Sequence, residues 1–478
     1  MRICQTPLDC SSQLARNVAQ GEDDQVREAN SLIKNANIFI VSQDDCTSRL
    51  QAAMDAAAAT GDVLELGPGV HHCGALQLAS GLDLVLGEGA ILRFSADYDA
   101  YRDNRVDVIA ESSDTAMMLA RNADRIRISG KGMIEAPGPD FVVGRLEDMG
   151  TYVPAALRPR VLVLQGCENV DLRGFSIRSS PMWTIHLITC RRVHVEGLSI
   201  DNDREMPNTD GIVIDSCQDV TIRHCDIATA DDGVVLKTSQ GPDGKPVGMC
   251  RNILVEHSRI ESRSCALKIG TETHGDVENI AFSDCEILRS NRAMGIFSRD
   301  GGRIRNVASR RIRLDAHETP DGFWGSGEAI TVNVVNRRPE KPAGRVENIL
   351  FEDIEGSMEG AVNLVADSPS GIGNLSLSRI RIRQEDGPYR GHRYDVRPTH
   401  FDLAPSPDAA GRANAWVKDE NGQVIGLVPY PGGMPALYSC NVEGLALEDV
   451  RFERPAVLPA GWNSEAIIVQ NGVASAWS

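Results

Sequence analysis

The sequence has little positive charge. Lys and Arg account for 49 of its 478 residues and Asp and Glu for 67, which gives a formal net charge of −18 at pH 7. Such a charge repels polyphosphates, and no basic stripe along the chain offsets it, so the sequence predicts no nucleic-acid partner. The same charge disfavours a long polyanionic ligand unless cations at the binding site compensate for it.

Long hydrophobic runs are also absent. The first twenty residues, MRICQTPLDCSSQLARNVAQ, lack the apolar core of a signal peptide. No stretch approaches the roughly 18 consecutive apolar residues that cross a membrane. We therefore expect a cytoplasmic protein with no membrane partner, or a secreted or periplasmic one if a leader has been removed.

Paired cysteine motifs are missing as well. The 12 cysteines form no CxxC pair and no His-rich metal spacing, and several recur at one phase of the repeat described next. This placement favours buried thiols in a reducing compartment over disulfides or thiolate chemistry. No cofactor is predicted.

A short pattern of alternating apolar residues recurs through the middle of the chain. It appears as NVDLRGFSI, RVHVEGLSI, DVTIRHCDI, NILVEHSRI, NIAFSDCEI, NVASRRIRL, NILFEDIEG and NLSLSRIRI, with first apolar positions at Val170, Val193, Val220, Ile253, Ile280, Val307, Ile349 and Leu375. The basic period is about 23 to 27 residues, and insertions lengthen some units. Alternation indicates strands, and a unit this short buries its apolar face only when coils stack. The pattern predicts an all-β fold, a parallel β-helix.

The repeat also suggests how the chain is divided. Residues 1–43 are predicted to be an N-terminal extension, and residues 44–478 a single β-helix domain. The Ala-rich segment 48–60, ended by Gly61, is predicted to be a helix that caps the open end of the stack. Loop insertions are expected near 137–159, 318–345 and 384–440. The last of these either roofs a groove or makes an oligomer contact.

Neighbouring units carry aspartates at the same phase. The segments are NTDGIVIDS (208–216), ADDGVVLKTS (230–239) and SCALKIGTE (264–272). Their inward apolar pairs fix the register, because a slip of one residue would turn core side chains outward. In that register Asp210 lies over Asp232, with Asp231 alongside and Cys265 next in the column.

This register crowds three carboxylates at one edge of a sheet. Adjacent strands are about 4.8 Å apart, so Asp210, Asp231 and Asp232 cannot all ionise cheaply, and at least one pKa should rise. A protonated acid beside an ionised one is what glycoside hydrolysis requires. Two other interpretations of these residues are open: hydrogen bonding to turn backbone, and a structural or catalytic Ca²⁺ site.

The aspartate segments resemble the family 28 glycoside hydrolases, the polygalacturonase and rhamnogalacturonase group of pectin-degrading enzymes. The resemblance runs from about residue 44 to 382, and NTDGI followed one coil later by DDGVVLK is its most specific part. It implies a right-handed parallel β-helix and an inverting mechanism. It further implies that Asp231 is the general acid, that Asp210 and Asp232 hold and deprotonate the attacking water, and that Asn208 lines a substrate subsite.

Two motifs of those polygalacturonases are missing here. Residues 264–266 are Ser-Cys-Ala where the polygalacturonases have Gly-His-Gly, so Cys265 stands in place of the histidine. Residues 295–297 are Gly-Ile-Phe where they have an Arg-Ile-Lys that grips a galacturonate carboxylate. Ordinary endo-polygalacturonase activity is therefore not expected.

Basic residues near the acids offer substitutes. Lys237 and Lys268 alternate with core residues, so they should point outward beside the aspartates, and Arg292 falls in the aspartates' column. We expect all three to bind sugar hydroxyls or a displaced carboxylate. For Lys237 the alternative is a structural ion pair with Asp215.

Four further residues are weaker candidates for substrate binding. Glu272 and His274 follow the third of these strands, where they either enter a subsite or lie in a solvated turn. Trp324 and Glu328 fall in the largest insertion, where they either supply a stacking platform and a hydroxyl acceptor or pack against the wall. His186 is interpreted as a core or edge residue.

The leading hypothesis is an inverting hydrolase of pectin-type (galacturonate- or rhamnose-containing) or related oligosaccharides. Exo action is expected because the large insertions are placed to close one end of a groove. One alternative is a polysaccharide lyase or uronate epimerase, which abstracts a proton beside a carboxylate that a cation usually neutralises. Another is a non-catalytic carbohydrate-binding β-helix. The oligomeric state, a homo-oligomer included, is left open.

Overall fold

The chain folds as a stack of coils made of short strands. The computed structural model describes residues 36–39, 45–110, 113–147, 150–320, 323–388, 392–399, 419–422 and 424–470. Strands of successive coils pair in parallel, which confirms the predicted all-β parallel β-helix. In the described ranges no helix is long and apolar enough to cross a membrane.

The strands and the helix follow one another along the chain. The first half contains β1 (Ala36–Phe39), α1 (Thr47–Thr60), β2 (Val63–Leu66), β3 (Gly69–Cys73), β4 (Leu76–Leu78), β5 (Asp83–Leu86), β6 (Ala90–Phe94), β7 (Arg105–Ala110), β8 (Ser113–Arg121), β9 (Asp124–Gly130), β10 (Met133–Glu135), β11 (Val142–Leu146), β12 (Thr151–Pro154), β13 (Arg160–Gln165), β14 (Glu168–Arg173), β15 (Ser176–Arg178), β16 (Ile185–Ile188), β17 (Arg191–Glu196) and β18 (Ser199–Asp201). The second half contains β19 (Ile212–Asp215), β20 (Gln218–Arg223), β21 (Asp226–Thr229), β22 (Val234–Thr238), β23 (Cys250–Glu256), β24 (Arg259–Ser262), β25 (Cys265–Thr273), β26 (Val277–Ser283), β27 (Glu286–Ser290), β28 (Arg292–Ser298), β29 (Ile304–Ala316), β30 (Glu328–Val334), β31 (Val346–Met358), β32 (Val362–Ala366), β33 (Ile372–Gln384), β34 (Arg393–Asp395), β35 (Leu427–Pro429), β36 (Leu437–Cys440), β37 (Val442–Glu453) and β38 (Ile467–Gln470).

Two sheets form the walls of the stack. The first, called the B sheet below, runs in spatial order through β4, β8, β13, β16, β19, β22, β25, β28, β30, β32, β36 and β38. The second has 21 strands. It starts as two ladders, β2–β5–β9–β14 and β3–β6–β10–β15, which merge in the long strands β29, β31, β33 and β37.

The core lies between the sheets and is apolar. Ile212, Val234, Leu267 and Met294 follow one another in register on four successive B-sheet strands, and each is at most 2% exposed. Because strand residues alternate between faces, their neighbours in sequence point to the outer face of the B sheet. The inward register predicted from the repeat is therefore confirmed.

Helix α1 covers the N-terminal end of the stack. Leu50, Met54 and Ala57 share one face and are buried, and the helix packs against β2, β4 and β5. Gly61 ends it in the left-handed conformation, where its N–H donates to Ala57 O at 2.8 Å. The predicted capping helix is confirmed.

Asparagines at one turn form a ladder along the stack. Each has a φ between 50° and 59°, in the left-handed region that asparagine tolerates. After the first, the side-chain amide of each asparagine donates to the Oδ1 of the previous one at 3.1 to 3.2 Å. The ladder consists of Asn252, Asn279, Asn306, Asn348 and Asn374. These are the turn residues that open the repeat units.

Two segment predictions differ from the structure. Residues 36–39 form β1, which pairs with β2, although they fall within the predicted extension 1–43; the rest of that extension lies outside the described residues. The predicted insertion 318–345 contains β30, whose Ile330 and Val332 continue the inward columns. The repeat unit is long there because loops flank β30 on both sides.

The other two insertions each contain a pair of antiparallel strands. Strands β11 and β12 pair within 137–159, and β34 pairs with β35 within 384–440. Residues 400–418 of the last insertion lie outside the described part of the chain. Residues 392–399 are called the roof segment below, because they lie over the outer face of the B sheet.

Candidate active site

Five neighbouring B-sheet strands carry polar side chains in one column at their N-terminal ends. Asp210 precedes β19, Asp232 precedes β22, and Cys265, Arg292 and Glu328 begin β25, β28 and β30. Strand pairing aligns the last three, and backbone hydrogen bonds between coils extend the column to the two aspartates. The predicted positions of Asp210, Asp232, Cys265 and Arg292 are confirmed, because the apolar pairs beside them fix the register.

The structure brings the three aspartates together. The nearest oxygens of Asp210, Asp231 and Asp232 all lie within 4.8 Å of one another, and all three side chains are buried. Burial raises the pKa of Asp210 well above its usual range, and the negative charges of the other two raise it further. Burial also raises the pKa of Asp232. These directions agree with the expectation that crowding disfavours full ionisation.

Lys268 holds one oxygen of Asp232. Its Nζ donates to Asp232 Oδ2 at 2.7 Å, and both side chains are buried. Burial is the largest influence on the pKa of Asp232 and raises it, while the charge of Lys268 acts in the opposite direction. Asp232 Oδ1 has no hydrogen-bond partner among the described residues. One oxygen of this carboxylate is therefore fixed, and the other is buried without a described partner.

Lys237 lies beside the same acids. Its Nζ lies 2.7 Å from Glu272 Oε2 and 4.8 Å from the centre of the Trp183 ring. Burial disfavours the charged form of Lys237, but the negative charges of Glu272 and Asp210 outweigh this effect and raise its pKa above the usual range. Its ion-pair partner is thus Glu272 rather than Asp215, the partner considered from the sequence. This pair places Glu272 next to the site.

Asn208 is held by an arginine that lies two coils earlier in the stack. Its Oδ1 accepts a hydrogen bond from Arg158 Nη2 at 2.8 Å, and its φ of 60° is left-handed. Arg158 also donates to the carbonyls of Pro181 and Pro207 at 2.8 and 2.7 Å. These bonds fix the loop that carries Asn208 and Asp210.

Arg292 and Glu328 are buried in the column. Arg292 Nη2 lies 2.9 Å from Asp395 Oδ2, and its Nε lies 3.5 Å from Glu328 Oε2. The Arg292 guanidinium also lies 4.9 Å from the centre of the Phe297 ring. The expectation that Glu328 occupies an inter-coil loop is wrong: it begins β30 and is 0% exposed, because the alternation of EAITVNV continues the B sheet.

His274 and Trp324 have no described contact with the three aspartates. Lys341 Nζ lies 2.8 Å from His274 Nδ1, and Asp300 Oδ2 lies 3.6 Å from its Nε2. Its side chain is 6% exposed, so the solvated-turn alternative is wrong for this residue. Trp324 is partly exposed, and the Arg397 guanidinium lies 5.3 Å from the centre of its ring. Their roles in sugar binding stay predictions.

Sequence reasoning missed the residues that attach the roof segment. Asp395 pairs with Arg292, and Arg299 donates to the carbonyls of Val396 and Pro398 at 3.0 and 3.2 Å. Both arginines are at most 1% exposed. The roof segment breaks the repeat, so periodicity carried no signal for it. Of the two interpretations of 384–440, its described part supports a roof.

A buried histidine and a tryptophan border the acids on the other side. Trp183 precedes Asp210 in the column, and its ring meets that of His186 edge-on at 4.9 Å. Arg160 Nη1 lies 2.8 Å from His186 Nδ1, and burial lowers the pKa of His186 to about 4. The interpretation of His186 as a core or edge residue is confirmed by its 0% exposure.

Comparison with known sequences finds one family. A model described as glycosyl hydrolases family 28 matches residues 102–389, more than half of the chain. The endo-polygalacturonase of Pectobacterium carotovorum subsp. carotovorum is 23% identical over 374 residues, which cover 73% of this chain and 87% of that protein. A probable polygalacturonase of Vitis vinifera is 26% identical over 174 residues, which cover 36% of this chain and 35% of that protein. The chain likewise spans less than half the length of two Arabidopsis thaliana relatives, 49% and 43%.

Solved structures show the same architecture. The family 28 exopolygalacturonase of Yersinia enterocolitica superposes with a TM-score of 0.61 at 16% identity, over 91% of this chain and 78% of that chain. At this identity the likeness shows the fold, which is therefore the predicted right-handed parallel β-helix. Because the family model matches more than half of the chain, this chain belongs to the glycosyl hydrolases family 28.

Proposed function

We propose that this chain is a glycoside hydrolase that cleaves a pectin-type or related oligosaccharide by general acid and general base catalysis. Membership of family 28 supports hydrolysis of a glycosidic bond. The observation that carries the proposal is the convergence of Asp210, Asp231 and Asp232, whose oxygens lie within 4.8 Å of one another. Such a cluster can contain protonated and ionised carboxyl groups at the same pH.

The proposed roles follow the resemblance and fit the contacts. Asp231 protonates the leaving oxygen, while Asp210 and Asp232 hold the attacking water. Asp232 suits the base, because Lys268 on Oδ2 stabilises its ionised form and Oδ1 has no described partner. The water gives its proton to this carboxylate and its oxygen bonds to the anomeric carbon. The glycosidic bond from that carbon to the leaving oxygen breaks, and the leaving oxygen takes the proton of Asp231. Asn208 is proposed to line the adjoining subsite.

The stereochemical outcome is a separate part of the proposal. Inverting enzymes usually have carboxyl groups about 6.5 to 9.5 Å apart, and retaining enzymes about 5 to 5.5 Å. The oxygens here lie within 4.8 Å of one another, which is closer to the spacing of retaining enzymes. A retaining displacement is therefore the second candidate. The inverting mechanism rests on the resemblance. Proton NMR of the first-formed anomer distinguishes the two outcomes.

A lyase or epimerase is the alternative that uses a cation. The three aspartate oxygens are close enough to share a metal ion. Lys268, however, already supplies a positive charge 2.7 Å from Asp232, which favours the hydrolase. A product with a carbon–carbon double bond whose formation EDTA stops would instead support the lyase.

The decisive experiment is product analysis on pectic and plant oligosaccharides with matched variants. Asp231→Asn should lower kcat by about 10²- to 10⁴-fold, because it removes the proton donor without changing the shape of the side chain. Asp226→Asn is the control, since Asp226 is an exposed acid on the other sheet. Hydrolysis by Asp231→Asn at the wild-type rate would contradict the assignment of the acid.

We further propose exo action, because the roof segment closes the outer face of the B sheet beyond Cys265. Arg292, Phe297, Thr331 and Asn333 follow on that face and are each at most 1% exposed. A sugar chain therefore cannot continue along the stack in that direction. The structural relative from Yersinia enterocolitica is itself named an exopolygalacturonase.

Loosening the roof segment tests this part. Arg299→Met removes the bonds to the carbonyls of Val396 and Pro398 and should change the products from single terminal sugars to mixed lengths. The neighbouring exposed Arg303→Met is the control. Mixed lengths from the wild type would show that the enzyme is not exo-acting.

A further inference from the structure

The three cations predicted to bind substrate already have partners in the protein. The pairs are Lys237–Glu272 at 2.7 Å, Lys268–Asp232 at 2.7 Å and Arg292–Asp395 at 2.9 Å. Each of these ammonium or guanidinium groups is neutralised within the fold. A cation that grips a charged substrate is therefore expected elsewhere around the acids.

Arg263 lies in the turn between β24 and β25, one coil from the aspartate pair. Its backbone N–H donates to Thr229 O at 3.2 Å. The preceding residue, Ser262, donates from Oγ to the backbone carbonyl of Asp231 at 2.7 Å. Arg263 is thus attached to the turn that presents Asp231, and its long side chain starts beside the acids.

The Arg263 guanidinium is close to two loops. It is 5.5 Å from the centre of the Phe323 ring, in the loop before β30. The second loop carries Glu205, whose pKa is lowered first by its hydrogen bond with Arg145 and more weakly by the charge of Arg263. Glu205 belongs to the loop that leads to Asp210. The loop with Phe323 leads to Glu328, which lies in the same column as Asp210 and Asp232.

The Arg263 side chain has no ion pair or hydrogen bond within the ranges that the structure describes, and it is only partly exposed. A guanidinium that loses water without gaining a partner is unfavourable, so such a group is suited to a ligand. Its planar fork matches a carboxylate with two parallel hydrogen bonds, and the Phe323 ring restricts its orientation.

We propose that Arg263 binds the carboxylate of a uronic acid unit in the substrate, at a subsite next to the cleaved bond. This inference rests on the proposed function and adds a residue that recognises the acidic sugar unit. It also supplies the local cation that a chain of net charge −18 requires to bind an acidic oligosaccharide.

The test compares a uronic acid oligosaccharide with the same oligosaccharide after methyl esterification, which removes its charge. Arg263→Met should raise KM for the free acid about tenfold or more, the loss expected for a charge-assisted pair. It should leave kcat, and both constants for the ester, within about twofold. The KM of Arg263→Lys for the free acid should lie between those of the wild type and Arg263→Met, because lysine keeps the positive charge but lacks the planar guanidinium.

The control is Arg259→Met, the same change on the same coil, at an exposed arginine paired with Asp226 and Glu286. It should leave both substrates unaffected. An equal rise in KM for acid and ester, or no rise for either, overturns the role of Arg263. Arg263→Lys keeps the test valid if the methionine variant does not fold.

A binding arm separates this inference from the proposed function. Calorimetry with the uronic acid oligosaccharide compares Asp231→Asn with the double variant Asp231→Asn/Arg263→Met. A loss of affinity of about tenfold supports Arg263 even if no hydrolysis is found, in which case only the proposed function fails. Equal affinities overturn the role of Arg263 whether or not the wild type is active.

Discussion

At the scale of single residues, contacts with Lys268 distinguish two acids that look alike in the sequence. Burial raises the pKa of both Asp210 and Asp232. Lys268 bonds directly to Asp232 and opposes the effect there, whereas Asp210 is raised further by its two acidic neighbours. Asp210 is therefore the more readily protonated of the two, and Asp232 the better base.

Removing Lys268 should change how activity depends on pH. In Lys268→Met the pKa of Asp232 should rise, because the charge that lowers it is lost and burial still raises it. A base works only when ionised, so the acidic limb of the kcat/KM profile should move to higher pH. The measurement is kcat/KM against pH for the wild type and the variant.

Two further variants sharpen the experiment on Lys268. Lys268→Arg should restore part of the wild-type profile, since it keeps a positive charge near Asp232 Oδ2. Lys245→Met, at an 81% exposed side chain, is the surface control and should leave the profile unchanged. If Lys268→Met raises KM without moving the acidic limb, Lys268 binds substrate and does not hold the base.

At the scale of elements, the turns of the asparagine ladder determine where each coil bends. Asn306 adopts a φ of 57°, a region that costs most L-residues about 1 to 2 kcal/mol. Its amide donates to Asn279 Oδ1 at 3.1 Å, and its own Oδ1 accepts from Asn348 at 3.2 Å. Backbone preference and side-chain bonding thus stabilise the same turn.

Substitutions of Asn306 should separate these two contributions. Asn306→Ala loses both ladder bonds and introduces a strained φ, so we expect the free energy of unfolding to fall by about 2 to 4 kcal/mol. Asn306→Gly loses the same bonds but introduces no strain, so its free energy of unfolding should fall by about 1 kcal/mol less than that of Asn306→Ala. Urea unfolding measures both values. Equal losses for the two variants would show that strain contributes nothing.

What the sequence could predict depends on whether an element repeats. Ile212 and Val234 repeat with the coil, so they fixed the register and with it the meeting of Asp210 and Asp232. The pairing of Arg292 with Asp395 depends on an irregular segment about a hundred residues later in the chain. No period marks such a contact, and this is why the roof segment was not predicted in detail.

At the scale of the whole molecule, the cysteines show how completely the stack excludes solvent. The ten cysteines of the described residues are all free and buried. On successive coils, Cys190 Sγ donates to Leu164 O at 3.1 Å, and Cys217 Sγ accepts the backbone N–H of Cys190 at 3.2 Å. Burial raises the pKa of the Cys250 thiol to about 12. The expectation of buried core thiols rather than disulfides is confirmed for these residues.

Thiol reactivity should therefore report unfolding of the whole stack. The chain has 12 cysteines, and replacing Cys4 and Cys10 with serine leaves the ten that the structure describes as buried. In this variant a thiol reagent such as DTNB should find no rapidly reacting group in the native state and ten in denaturant, because a thiolate must form and be reached before it reacts. The slow native reaction should follow the rate of unfolding measured by circular dichroism. Rapid reaction of one thiol would instead locate a coil that opens on its own; if that thiol is Cys265, beside the aspartates, protection by bound oligosaccharide would show that the opening exposes the active site.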